Sequence, residues 1–378
     1  MESRFCSVLL FPLSHCLFFL DYCNVSESFP ILIQNRTASV RNNPTGVSSE
    51  GYWFHYLEDK VAAYLLSAEQ GVSAPEIFCC VTSATELSSC LLNDVPSTVD
   101  GVVIKATNFH SSQGVYVLVP NPAGNGTINL LDNSITSYAE VVAELSLMQA
   151  TKIIVEEFVG ASLPTEYKFH VVNGEVLAID IITGRGADCP CYAVVDKDWN
   201  RLDQFGCFEP GGVGSVETNG CTAIDFITGK RRAGPVKKDL YVCDDDSIPS
   251  DLDECLKQEM LDIALDAGSR IGVYIRVDMF VVGGKVFVQE YTTNHMNGLR
   301  HCASKFDPLT GCIDSCFIGR AWNAAGAPFG GGPTTVPSAL TGFYALTPQE
   351  QCDLLIGVSP PVHVSTCSGG TVPPKPFP

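Results

Sequence analysis

The chain has 378 residues, enough for one large domain or two ordinary ones, and 46% of them are apolar, too many for a chain disordered over most of its length. With 42 acidic against 23 basic residues the formal net charge is −19, which disfavours general binding to nucleic-acid backbones. A single nucleotide pocket stays open to such a chain, because a few lysines and a magnesium ion can make one place locally positive.

At the start of the chain, Arg4 precedes an apolar run from Val8 to Leu20 that is broken by Pro12, Ser14 and His15. The run is too short and too interrupted for a good membrane span. It has the length of a secretory signal core, but its basic end is weak and no small-x-small cleavage site follows. Glycosylation sequons stand at Asn24, Asn35 and Asn125. Localisation is therefore left between cytoplasm and secretory pathway, with membrane contact expected only through an N-terminal anchor. The 17 cysteines are scattered, and Cys79-Cys80 and Cys189-Pro-Cys191 lack the spacing of a zinc site. Disulfides and buried apolar thiols both remain open, and the odd count leaves one thiol free or paired outside the chain.

Residues 24–48 are polar and read as a linker. From Gly51 to Gln70 apolar residues recur at helical spacing: Tyr52, Phe54, Leu57, Val61, Ala62, Tyr64 and Leu65. A strand follows from Glu76 to Val81, then a helix opened by Ser83 with Glu86 three residues on. Short β-runs occupy 101–105, 114–119, 152–159, 166–172 and 175–182, with a helix between Thr136 and Met148. Asn173-Gly174 is a strong hairpin turn. After a Gly-, Cys- and Asp-rich middle over 183–250, the pattern predicts a helix from Leu252 to about Ser269. Strands over 273–282 and 285–292 follow, turned at Gly283-Gly284. Beyond Trp322 the chain is rich in Gly and Pro, with one candidate helix at Thr347–Leu355. Mixed helices and hairpin-linked strands point to an α+β fold with antiparallel sheets.

Three features could carry chemistry. Lys105 ends an apolar strand before the polar loop ATNFHSSQG, where its charge and backbone N–H groups could hold phosphate; strand-ending lysines usually just reach solvent. In IIVEEFVG, Glu156 and Glu157 must point to opposite faces of a strand, so one can enter a cleft. Arg276 and Asp278 share a strand face, and counting back from the Gly283-Gly284 turn sets Glu290 nearly opposite Asp278. Carboxylates paired among apolar residues are costly to bury without a cation, and magnesium accepts one or two of them plus phosphates. An arginine–carboxylate bridge on an exposed sheet face is the plainer alternative.

These features come in the order of the ATP-grasp fold. From Tyr52 to Trp322 the chain resembles the TupA-like branch of that superfamily, through LEDKVAAYLL, VVIKATNFHSSQGV, IIVEEFVG, EYKFHVVNGEV, VVDKDWNRL, EMLDIAL, VYIRVDMF, VFVQEYT and FIGRAW. The resemblance implies two α+β lobes clasping ATP. The chain then divides into a leader and linker over 1–48, a preceding region over 49–100, the ATP-grasp domain over 101–322 and a Gly- and Pro-rich tail over 323–378. Carried over by position, Lys105 would contact the phosphates, and a loop with His110, Ser111, Ser112 and Gly114 would close over them. Glu156 or Glu157 with the backbone of Phe158 and Val159 would form the adenine hinge, and Glu166 would lie near the ribose. Asp278 and Glu290 would hold Mg2+, with Asn294 as a substitute for a family asparagine whose place is taken by Thr292. Arg276 would face the transferred phosphoryl group, and Lys168 is typical of the family. The implied activity is ligation of a small-molecule or polymer-precursor carboxylate to an amine through an acyl phosphate, in cell-surface polymer synthesis. A non-catalytic secreted glycoprotein on the same scaffold, and a kinase that stops at phosphorylation, are the competing readings. Residues 186–250, with the basic run Lys230-Arg231-Arg232, are expected to set substrate specificity.

Overall fold

The computed structural model describes residues 32–33, 35–36, 57–107, 109, 113–124, 126–184, 191–201, 241–242, 252–272, 274–293, 313–325 and 336–358. Two six-stranded sheets organise them. The first contains β1 (Ile77–Val81), β2 (Val102–Ala106), β3 (Val115–Pro120), β4 (Thr127–Asn129), β5 (Ser134–Thr136) and β6 (Ile153–Glu157), in the order β1-β6-β2-β3-β4-β5. The second contains β7 (Glu166–Val172), β8 (Glu175–Thr183), β9 (Cys191–Val195), β10 (Tyr241–Val242), β11 (Ile275–Val282) and β12 (Lys285–Thr292), in the order β10-β9-β8-β7-β11-β12. Pairing is antiparallel throughout except between β9 and β10. The expected α+β class with antiparallel sheets is the observed one.

Strand alternation gives each sheet an apolar face. In the first, Val102, Ile104, Ala106, Ile153 and Val155 pack with Leu87 and Leu91 of α1's successor α2 (Ala84–Asn93) and with Val141 and Leu145 of α3 (Tyr138–Leu147). Helix α1 itself is Lys60–Glu69. In the second sheet, Tyr167, Phe169, Val171, Ile179, Ile181 and Val277 pack under Met260, Ile263, Ala264 and Ile271 of α4 (Glu254–Ile271). Each such fully buried aliphatic side chain contributes roughly 1.5–3 kcal/mol relative to exposure. Helix α4 approaches closely because Gly268 has no side chain: a Cβ there would lie 2.3 Å from Val171 Cγ1.

The expected turns form as the residue types require. Asn173 and Gly174 have φ of 48° and 76°, and Gly283 and Gly284 have 58° and 74°, the left-handed pairs that reverse a two-residue hairpin. Ser83 caps α2 by accepting from Glu86 N, and the Glu86 carboxylate reaches back to accept from Thr82 N at 2.9 Å. Ser137 and Glu140 make a full capping box at α3. Two pairs of short strands escaped the sequence reading, β4–β5 and β9–β10.

Cys79 and Cys80, adjacent on β1, point to opposite faces and form separate disulfides. Cys79 joins Cys90 of α2, and Cys80 joins Cys352 of α6 (Pro348–Gly357). Cys255 is disulfide-bonded as well. Of the two readings left open for the cysteines, the disulfide one holds for these five. Residues 336–358 belong to the larger core, which takes in Leu340, Phe343, Cys352 and Leu355. The expected leader and the run Lys230-Arg231-Arg232 lie outside the described residues.

Candidate functional site

The two sheets turn their other faces toward a shared cleft. On the first sheet, Val103 sits opposite Val117 and Glu156, and Lys105 follows two residues along on the same face. Val103, Val117 and Phe158, with Leu131 and Leu163 packed against them, form an apolar wall. Beside it Lys105 Nζ lies 2.5 Å from Glu156 Oε1, with the two side chains 6% and 2% exposed. Tyr64 OH donates to Glu156 and accepts from Lys105 Nζ at 2.9 Å. Burial alone would strip the Lys105 charge, but Glu156 and Tyr64 outweigh it and raise the ammonium pKa above its ordinary value. Burial and Glu156 likewise push the Tyr64 phenol up, so it stays a neutral donor.

Helix α1 supplies Tyr64 and, one turn earlier, Lys60. Positions four apart share a helix face, so both reach the cleft. Lys60 Nζ donates to the Phe109 carbonyl at 3.0 Å. Burial lowers its pKa, opposed chiefly by Glu290 across the cleft. Two lysines and a facing carboxylate thus meet where the sheets converge.

On the second sheet the cross-strand pairs place Glu166 with Phe280, Lys168 with Asp278 and Asp278 with Glu290 on one face. Counting from the turn brings Glu290 near Asp278, and a one-residue slip in the pairing sets the two directly opposite. Arg276 Nε donates to Asp278 Oδ1 at 2.5 Å, and its Nη2 donates to Asp278 Oδ2 at 2.7 Å and to Thr292 Oγ1 at 3.0 Å. Lys168 Nζ reaches Asp278 as well and lies 2.9 Å from Glu166 Oε2. Burial works against the Asp278 carboxylate, yet Arg276 and Lys168 prevail and hold its pKa below the ordinary value. Arg276 is raised in turn, Asp278 and then Glu290 outweighing its own burial.

The resulting cleft encloses about 910 Å³, counting the part open to solvent. Of the residues singled out in the sequence, Lys105, Glu156, Glu157, Phe158, Val159, Glu166 and Glu290 line it. Arg276, Lys168 and Asp278 stand behind Glu166 and Glu290 in one ion-paired row. Glu156 is tied to Lys105, and Glu157, the next residue along β6, pairs with Val102 at the cleft's edge. The Glu157 and Phe158 N–H groups donate to Glu76 O at 2.8 Å and Gly101 O at 3.1 Å, so neither is available to a hinge contact. Gly114 does not line the cleft: it turns at φ +65°, and a Cβ there would come 2.8 Å from Ala106 Cβ. His110, Ser111, Ser112 and Asn294 lie outside the described residues. The DKDWN segment is a turn closed by Asp196, and its Trp199 packs edge-on against Tyr167 at 5.8 Å, in the core rather than the cleft.

A magnesium ion is tested by the donors present. Asp278 and Glu290 offer hard oxygen ligands, the type that ion takes, but both Asp278 oxygens already receive hydrogen bonds from Arg276. Among the described residues no group of three or more His, Cys, Asp or Glu side chains is placed to hold a metal. Two carboxylates fit an ion that arrives with phosphate oxygens better than one held by protein alone.

Lys60, which lines the cleft, Tyr64, which holds Lys105 and Glu156, and Gln289, which lines the cleft too, were not singled out from sequence as site residues. A lysine four residues before a tyrosine in an otherwise apolar helix was the available signal for the first two.

No protein-family model matches the chain, and no curated protein does. Among solved structures, several ligases are similar to part of the chain. The VanG D-Ala:D-Ser ligase of Enterococcus faecalis is 14% identical, aligned over 71% of this chain and 60% of its own, with a TM-score of 0.38. D-alanine–D-alanine ligase of Helicobacter pylori is 14% identical over 70% and 61%, with a TM-score of 0.35. A RiPP-associated ATP-grasp ligase of Chryseobacterium gregarium, solved with ADP and a leader and core peptide, is 13% identical over 76% and 68%, with a TM-score of 0.33. The chain thus spans less than two thirds of the length of the first two. Among the described residues no helix is long and apolar enough to cross a membrane.

Proposed function

We propose that this chain is an ATP-grasp ligase of TupA-like kind, which binds Mg-ATP between its two sheets and joins a carboxylate to an amine. The observation that carries this reading is the cleft itself. An apolar wall and two lysines face Glu290 across it, with Arg276 and Asp278 ion-paired behind, in the chain order that the sequence resemblance implies.

The base would lie against Val103, Val117 and Phe158, where flat apolar surface leaves water. Lys105 and Lys60 would bind phosphate oxygens. Lys105 is suited to this because Glu156 and Tyr64 fix its ammonium group and keep it charged without side-chain rearrangement. Asp278 and Glu290 would hold magnesium, whose charge neutralises the phosphates.

The substrate carboxylate attacks the γ-phosphorus; an O–P bond forms as the bond to the β–γ bridging oxygen breaks, and ADP leaves. Arg276, held in plane by Asp278 and Thr292, neutralises charge on the transferred group. The amine nitrogen then attacks the acyl carbon, the C–O bond to phosphate breaks with its electron pair on phosphate, and the nitrogen gives up a proton. Positioning and fixed charge supply the catalysis, with no protein nucleophile required. The lining of apolar residues keeps water from the acyl phosphate. The substrates are a small-molecule or polymer-precursor carboxylate and an amine.

The test is product analysis. The full chain is incubated with Mg-ATP and panels of carboxylates and amines, and ADP, phosphate and coupled product are followed. ADP, phosphate and amide in equal amounts support ligation. A phosphorylated substrate with no free phosphate would replace ligation with a kinase reaction. No turnover with any pair, although ATP binds, would contradict the enzyme reading.

A further inference from the structure

The pairing of β11 with β12 slips once. Asp278 stands opposite Glu290 and Met279 opposite Val288, so Gln289 is the extra residue of a β-bulge. In a regular strand residues 289 and 290 would point to opposite faces. The bulge breaks that alternation, and both line the cleft. Re-aiming one side chain beside a site is a recurrent use of bulges.

What the bulge presents is an acceptor. The Gln289 carboxamide oxygen is buried and has no hydrogen-bond partner among the described residues. Such an oxygen carries the desolvation cost of a polar group with nothing to offset it. Its position along the strand is informative. On one side lies the stacked pair Phe280–Phe287, with ring centroids 5.2 Å apart, at the apolar end of the cleft. On the other lies Glu290, facing Lys60 at the ionic end.

We propose that Gln289 reads the nucleoside of the bound nucleotide. Its carboxamide oxygen accepts a hydrogen bond from a donor lying between base stacking surface and phosphates: the exocyclic amine of adenine or a ribose hydroxyl. This rests on the reading of the cleft as a nucleotide site. The contact forms only in the complex, because no described residue pairs with the oxygen. A nucleotide lacking the donor leaves it buried and unpaired in the complex too, which is how a polar site rejects a near-identical ligand.

Calorimetry of the full chain with the magnesium complexes of ATP, inosine triphosphate, 2′-deoxy-ATP and 3′-deoxy-ATP tests this, beside Gln289→Leu and Gln289→Met. The wild type is expected to bind ATP about 10-fold more tightly than at least one analogue. Either variant is expected to lose that preference and to weaken ATP by about 10-fold. A preference lost against inosine triphosphate identifies the amine, and one lost against a deoxy analogue identifies the ribose hydroxyl. Without ligand, the variants are expected to melt no lower than the wild type, since an apolar side chain replaces an unpaired amide. Folded variants that keep ATP affinity within about 2-fold and keep every preference overturn the role of Gln289 alone. A wild type that binds none of the four nucleotides overturns the nucleotide reading and this inference with it.

Discussion

Replacing Lys105 by methionine isolates the energetic centre of the first sheet's cleft face. Lys105 and Glu156 are 2.5 Å apart with side chains 6% and 2% exposed, so little solvent screening applies. Removing the cation leaves the Glu156 carboxylate buried with one donor, Tyr64 OH. Breaking a buried pair this way costs about 3–5 kcal/mol, whereas replacing both partners by neutral groups is often near neutral. Lys105→Met with Glu156→Gln keeps an acceptor for Tyr64 and removes the charge. Each single variant should therefore lose about 3–5 kcal/mol and the double variant less than about 2, so the single losses should exceed the double one by a coupling of at least about 4 kcal/mol. At about 2 °C per kcal/mol for a chain of this size, Lys105→Met should melt about 6–10 °C below the wild type. Thermal unfolding of the wild type, both single variants and the double variant gives the full cycle. Losses that simply add, with coupling under about 0.5 kcal/mol, would refute the claim that these groups act as one unit.

Three further outcomes follow from other parts of the structure. The Asp278 carboxyl, ordinarily near 3.8, is held lower in the folded chain; between the two values the unfolded chain binds more protons, so stability falls as pH falls. Its contribution is complete above the ordinary value and is lost through it and below, so the melting gap between wild type and Asp278→Asn should narrow between about pH 6 and about pH 3. Gly268→Ala should destabilise by about 1–3 kcal/mol in denaturant unfolding, because its Cβ meets Val171, although alanine in an open helix would stabilise by about 1 kcal/mol. The Cys80–Cys352 disulfide spans 272 residues of chain, so Cys352→Ala should cost up to about 5 kcal/mol, and alkylation of Cys80 in the wild type should require prior reduction.

Much of the architecture was legible because hydrophobic period and turn chemistry agree. β7 and β12 begin and end at the residues the alternation marks, Glu166–Val172 and Lys285–Thr292, and the Asn173-Gly174 and Gly283-Gly284 hairpins take the conformations their residues favour. Counting away from the two-residue turn brought Glu290 only near Asp278, and the bulge at Gln289 completes their opposition. The three-residue strands β4 and β5 were too short to show a period. β9 and β10 pair across an intervening 196–240, which no local pattern announces. The site was less legible than the fold. Glu156 and Glu157 could be told apart only once Val103 and Lys105 fixed which face of β6 meets the cleft. Nothing in the sequence marks Lys60 as a cleft residue, and only the packing of α1 buries it at 7% exposure. Gln289 depends on a bulge, and a single inserted residue leaves no mark in an alternating strand.

The central claim, that this cleft binds Mg-ATP through Lys105 and the Asp278–Glu290 pair, is tested most directly by calorimetric titration of the full chain with ATP, with and without magnesium, beside Asp278→Ala/Glu290→Ala. The account predicts binding that requires magnesium and is lost or sharply weakened in the double variant. Magnesium-independent binding that survives in the variant, or no binding by the wild type, would contradict it.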